Sequence, residues 1–140
     1  MAIQSRKIFI DSSVLVSFID RSDTNHQKAV QSMENLARLG YQLYTSYQNV
    51  VETYVALSRE IGQSVALDFL QASLQSDIEI LLPQKADLIT IHRMLRVNRD
   101  RQIALREAMN ATLMQKKGII QILSFSYWHN LFGTFVSNIV

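Results

Sequence analysis

Four short apolar runs, each separated from the next by one or more segments of helical length, constrain this chain more than any other feature. They are KIFI at 7–10, YQLYTS at 41–46, IEILL at 78–82 and IIQIL at 119–123. Strands that follow one another through helices need crossover connections. This predicts a mostly parallel sheet of four to five strands with helices on both faces, a three-layer α/β/α arrangement. Helices are expected at 13–20, 25–39, 47–60, 64–75, 84–97 and 101–117. Thr24 and Gln27 fit a capping box for the second, Gly40 ends it, and Ser46 is placed to cap the third. Pro83, the only proline, stops the third strand, and the polar Asn98-Arg99-Asp100 separates the last two helices. A short helix near 128–132 and a last edge strand near 134–139 complete the pattern. With 140 residues and neither repeat nor linker, residues 1–140 are expected to form a single domain.

The chain has no cysteine, which excludes disulfides and thiolate metal sites and suits a reducing cytoplasm. No signal peptide is expected, because the apolar run after Lys7 meets Asp11 after three residues. Gly118 to Val140 carries no Lys, Arg, Asp or Glu, but polar residues such as Gln121, Ser124, His129 and Asn130 interrupt it, so no membrane span is expected. The net charge of +2 permits a nucleic-acid partner without demanding one. Distribution is more informative: five of the 14 basic residues fall between Arg93 and Arg106, with Arg93, Arg96 and Arg99 stepping along one side of a helix. This is either a solvated face or a patch for RNA phosphates.

Three acids stand where acids are costly. Asp11 directly follows the first strand. It is either a cap for the helix after it, a role Ser12 or Ser13 could also take, or part of a site at the strand's carboxyl end. Glu52 lies in NVVETYVAL with no Lys or Arg within six residues on either side. Glu107 has Ile103, Ala104, Asn110 and Ala111 as helical neighbours, so it interrupts a stripe that should face the core. A carboxylate there costs several kcal/mol unless protonated, hydrogen-bonded or bound to a cation. Each acid has an innocent alternative, Glu52 by snorkelling and Glu107 by pairing with an Arg. Together they suggest one carboxylate cluster holding a hard divalent ion, Mg²⁺ or Mn²⁺, for phosphodiester hydrolysis.

The order of these segments resembles the PIN-domain family, and within it the VapC-type ribonuclease toxins. FIDSSVLVSFID is similar to the family's opening strand, Asp and helix, and DTNHQKAV to the start of its second helix. LYTSYQNVVETY resembles its Ser-capped helix with a Glu, and LREAMNATLMQKKGIIQILSF the later helix whose acid precedes a strand. The resemblance implies a metal-dependent endoribonuclease acting on single-stranded RNA, with Asp11, Glu52 and Glu107 ligating Mg²⁺ or Mn²⁺. It also implies a homodimer and a cognate antitoxin that inserts a basic residue into the acidic site. Two positions depart from the family pattern. Glu107 stands where Asp is usual, and Ser126 stands where a fourth acid is usual, in LSFSYWHNLFG. No Asp or Glu follows Glu107. Ser126 is therefore expected to position water, with His129 and Asn130 as possible contributors, and Arg93, Arg96, Arg99 and Lys116 to hold RNA. The missing acid leaves open a catalytically degenerate PIN domain that binds RNA or protein. Other classes fit less well. An aspartyl phosphotransferase would want an acid at position 13, where Ser13 stands; a receiver-type domain would need paired acids near the first strand and a late Lys. A nucleotide-binding fold would need a Gly-rich turn after that strand, and none of the four glycines is there.

Overall fold

The computed structural model describes residues 6–126, 128 and 135–136. Five strands form one parallel sheet: β1 (Lys7–Ile10), β2 (Gln42–Ser46), β3 (Glu79–Leu81), β4 (Gln121–Leu123) and β5 (Phe135–Val136), in the order β3-β2-β1-β4-β5. The helices are α1 (Ser12–Ile19), α2 (His26–Arg38), α3 (Tyr47–Glu60), α4 (Gln63–Gln75), α5 (Lys85–Val97) and α6 (Leu105–Lys117). The helix expected near 128–132 lies, apart from Trp128, outside the described residues. Among the described residues no helix is long and apolar enough to cross a membrane.

The alternation within β1 explains the layers. Ile8 and Ile10 pack on one face with Val14, Leu36, Val50, Leu57 and Phe69 from α1 to α4. Phe9, between them, packs on the other with Ile91, Ala108, Ala111 and Met114 from α5 and α6. All three β1 residues are fully buried, so the strand is apolar on both faces, as a central parallel strand must be. The connections reverse direction at β1: β2 lies on one side of it and β4 on the other. In open α/β sheets the crevice at such a reversal, beyond the carboxyl ends of the strands, is where ligands bind.

Three local expectations hold or fail for identifiable reasons. Ser46 caps α3 as expected, its Oγ accepting from Asn49 N at 3.1 Å. The Thr24–Gln27 capping box does not form. Asn25, not Thr24, is the N-cap of α2, and its backbone N–H donates to the Asp23 carboxylate at 2.8 Å, which places the helix start one residue later. The sixth helix starts at Leu105 rather than 101. Arg99–Arg101 form a 3₁₀ turn, and Gln102 takes a left-handed conformation at φ 52° that interrupts the helical path.

Candidate active site at the β1–β4 crevice

Asp11 occupies the N-cap position of α1 with extended backbone, yet its side chain makes no capping bond. The carbonyl of Asp11 accepts the first helical amides, from Val14 and Leu15, and its N–H donates to Leu123 O on β4 at 3.0 Å. The carboxylate is thereby free of capping duty, and it turns into the crevice, fully buried. Its Oδ2 accepts from Ser13 Oγ at 2.7 Å and from Ser124 Oγ at 2.9 Å. Each hydroxyl is oriented in turn by a backbone amide: Phe125 N–H donates to Ser13 Oγ at 3.0 Å and Ser126 N–H to Ser124 Oγ at 2.9 Å. Of the two alternatives for Asp11, side-chain capping is not what its carboxylate does: the backbone carbonyl takes the helix start, and the carboxylate bonds Ser13, Ser124 and Arg106.

The remaining oxygen, Oδ1, accepts from Arg106 Nη1 at 2.9 Å. The same guanidinium brings Nε within 3.4 Å of Glu52 Oε2, which also accepts from Ser12 Oγ at 3.2 Å. One cation from α6 therefore bridges two acids, one after β1 and one on α3. Glu52 has its pKa raised: partial burial disfavours its charge, Arg106 and the Ser12 hydroxyl oppose that, and the negative charge of Asp11 adds to it. Beside this bridge lies a cavity of about 390 Å³ lined in part by Ser12, Ser13, Asp23, Glu52 and Arg106.

A buried amide network fixes these elements against one another. Asn110 on α6 is fully buried; its Nδ2 donates to Asn49 Oδ1 at 3.1 Å, and its Oδ1 accepts from Ser46 Oγ at 2.7 Å and Gln48 Nε2 at 2.6 Å. Asn49 Nδ2 and Thr45 Oγ1 both donate to the carbonyl of Ile10, at 3.2 and 2.8 Å. The end of β1, the start of α3 and the first half of α6 are thus tied together, and they carry Asp11, Glu52 and Arg106 respectively.

Glu107 is buried on α6, next to Arg106. Consecutive helical residues diverge by about 100°, so Arg106 and Glu107 do not face the same way. Among the described residues no three His, Asp or Glu side chains form a group that could hold a metal ion. The expected cluster of three acids is therefore a pair bridged by an arginine. Ser126 meets the site through its backbone, while Ser124 supplies the hydroxyl that reaches Asp11. His129 and Asn130 lie outside the described residues. Arg93, Arg96 and Arg99 are exposed and line one shallow cavity of about 510 Å³ with Val97. Lys116 instead ion-pairs with Asp87 at 3.0 Å. The pKa of Asp87 is lowered, chiefly by the Gln84 N–H that it accepts at 2.8 Å, against a desolvation penalty, with Lys116 adding to the lowering.

Arg106, Ser124 and Asn110 are the site residues that the sequence patterns did not single out. Arg106 and Asn110 are four apart, one above the other on α6, so a signal for the arginine existed: it continues a buried polar stripe. Nothing local marks Ser124.

A PIN-domain family profile matches residues 8–125, and the chain belongs to that family. Among solved structures it is similar to Mycobacterium tuberculosis VapC20, described as a sarcin-ricin loop cleaving toxin, at 21% identity and TM-score 0.73, over 85% of this chain and 89% of that one. It is also similar to FitAcB from Neisseria gonorrhoeae, at 13% identity and TM-score 0.67 over 94% and 97% of the two chains. A third neighbour is VapBC2 from Rickettsia felis, bound to a DNA fragment from its promoter, at 14% identity and TM-score 0.64 over 86% and 88%. These likenesses establish the PIN-like fold. No curated protein matches in sequence.

The two acids that meet on Arg106 are oxygen donors. Arg106 meets two carboxylates, with the hydroxyls of Ser12 and Ser13 bonded to them, and carboxylate and hydroxyl oxygens are the donor type that Mg²⁺ or Mn²⁺ takes. The guanidinium is the stand-in cation that reveals where the two carboxylates converge.

Proposed function

We propose that this chain is a VapC-like endoribonuclease that hydrolyses phosphodiester bonds in single-stranded RNA, with Mg²⁺ or Mn²⁺ held by Asp11 and Glu52. The observation that carries this proposal is the convergence of those two acids, from separate elements, on one cation at the carboxyl edge of a PIN-domain sheet. Glu107, buried on α6, is the third acid of the family resemblance, and the proposal rests on the pair that meets on Arg106. When bound, the ion supplies electrophilic polarisation of the phosphoryl oxygen and an acidified water. Asp11 anchors it, Ser13 and Ser124 keep that carboxylate oriented, and Ser126 stands in the fourth acidic position as a neutral group for water. RNA cleavage by the purified protein is expected to need Mg²⁺ or Mn²⁺ and to cease in excess chelator. Cleavage that persists in chelator would refute the proposal.

The exposed arginines supply the second half of the reading, a contact with the RNA backbone. Each phosphate neutralised on a single strand contributes about −0.7 to the slope of log affinity against log salt. Replacing Arg93, Arg96 and Arg99 together with Ala is expected to reduce that slope by roughly 2 in fluorescence-anisotropy titrations. An unchanged slope would assign the patch to bare surface. The VapBC2 and FitAcB assemblies among the neighbours support a protein antitoxin as partner; a homodimer and a cytoplasmic place of action are what the family resemblance implies.

A second reading is favoured by one observation, the guanidinium seated between the two acids in a chain with no acid after Glu107. It is a degenerate PIN domain that binds RNA or protein without cutting. RNA binding without cleavage at saturating Mn²⁺ would select it.

A further inference from the structure

We infer that Arg106 is a built-in counterion that competes with divalent metal for Asp11 and Glu52, so that the ion enters only by displacing the side chain. This inference rests on the proposed metal site. Two different nitrogens of one guanidinium engage two carboxylates from different elements, Nη1 on Asp11 and Nε beside Glu52. That fork is specific to arginine; the single ammonium of a lysine cannot reproduce it. Asp11 is fully buried, where a partner cation stabilises a carboxylate, and in the arrangement described Arg106 is that cation.

Charge balance makes the two cations alternatives. Two carboxylates and one guanidinium sum to −1, and two carboxylates with one divalent ion sum to zero. Guanidinium and ion together would put like charges in competition for the same oxygens, Asp11 Oδ1 and Glu52 Oε2. Arg106 also has somewhere to go. It stands in the first turn of α6, its side chain is 32% exposed, and it borders the cavity of about 390 Å³ beside the bridge. Asp11, held by Ser13 and Ser124, stays in place when the guanidinium leaves.

The test is calorimetric titration of Mn²⁺, without RNA, into the intact protein, Arg106→Gln and Arg106→Lys. Removing a competitor coupled to the ion by an ordinary amount should tighten Mn²⁺ binding about tenfold or more in Arg106→Gln. Arg106→Lys, with charge but no fork, should fall between, and it stands in if the glutamine variant fails to fold by circular dichroism. Equal or weaker Mn²⁺ binding in folded variants would overturn the inference and leave the metal site standing. No binding to any of the three proteins would overturn both.

Discussion

Asp11→Asn is expected to lower metal-dependent RNA cleavage by more than about a hundredfold, beyond the range seen when only a group behind a metal ligand is lost. The substitution preserves size and leaves an acceptor and a donor for Ser13 and Ser124, whose hydroxyls can rotate to suit. What it removes is the buried negative charge at the point where β1, α3 and α6 converge. Arg106 is then left with Glu52 alone, which is half-buried and whose charge is already disfavoured by its surroundings. Gel-resolved cleavage of a single-stranded RNA, with circular dichroism to show that the fold persists, measures the loss. A rate within tenfold of the unaltered protein would show that the chemistry lies elsewhere.

Asn110→Ala is expected to cost about 3 kcal/mol of stability, because it strands several buried groups at once. Ser46 Oγ and Gln48 Nε2 lose their acceptor and Asn49 Oδ1 loses its donor, in a place without room for ready replacement. A loss of that size in a domain of this length lowers Tm by roughly 10 °C. Lys28→Ala, at an exposed position of α2, should stay within about 0.5 kcal/mol. Thermal unfolding of the two variants provides the comparison. Similar melting temperatures would mean that the amide network is not what clamps α6 to α3.

The order of strands and helices is legible in the sequence because each apolar run is short, uninterrupted and bounded by a helix signal. Ile8, Phe9 and Ile10 can be buried only on both faces of a sheet, and Ser46 and Gly40 mark helix ends by local chemistry that the fold retains. Gly40, at φ 75°, lets Tyr41 N bond back to Leu36 O at 3.0 Å, a closure that a side chain there would strain. The false start of α6 comes from Gln102, whose left-handed backbone no residue preference announces. Two acids stand out in the sequence for different reasons: Asp11 directly follows a buried strand, and Glu52 has no Lys or Arg within six residues.

The stripe on α6 marks Arg106 but not its partner: Asp11 lies 95 residues away and meets it only through the rotation of α6 about its axis. A shift of one residue on that helix exchanges Arg106 for Glu107, and so turns an expected three-acid cluster into an acid pair with its own cation. Asn110, bonded on both its amide atoms to the start of α3, holds α6 against that helix, and one turn earlier on α6 Arg106 bonds Asp11.

The central claim is that Asp11 and Glu52 form a cation site in which metal and Arg106 exchange. Anomalous diffraction from crystals equilibrated with Mn²⁺ tests it most directly. The account predicts a manganese peak between the two carboxylates, with the Arg106 side chain withdrawn toward the adjoining cavity. A guanidinium still bridging Asp11 and Glu52 at saturating Mn²⁺, with no anomalous peak beside them, would contradict it.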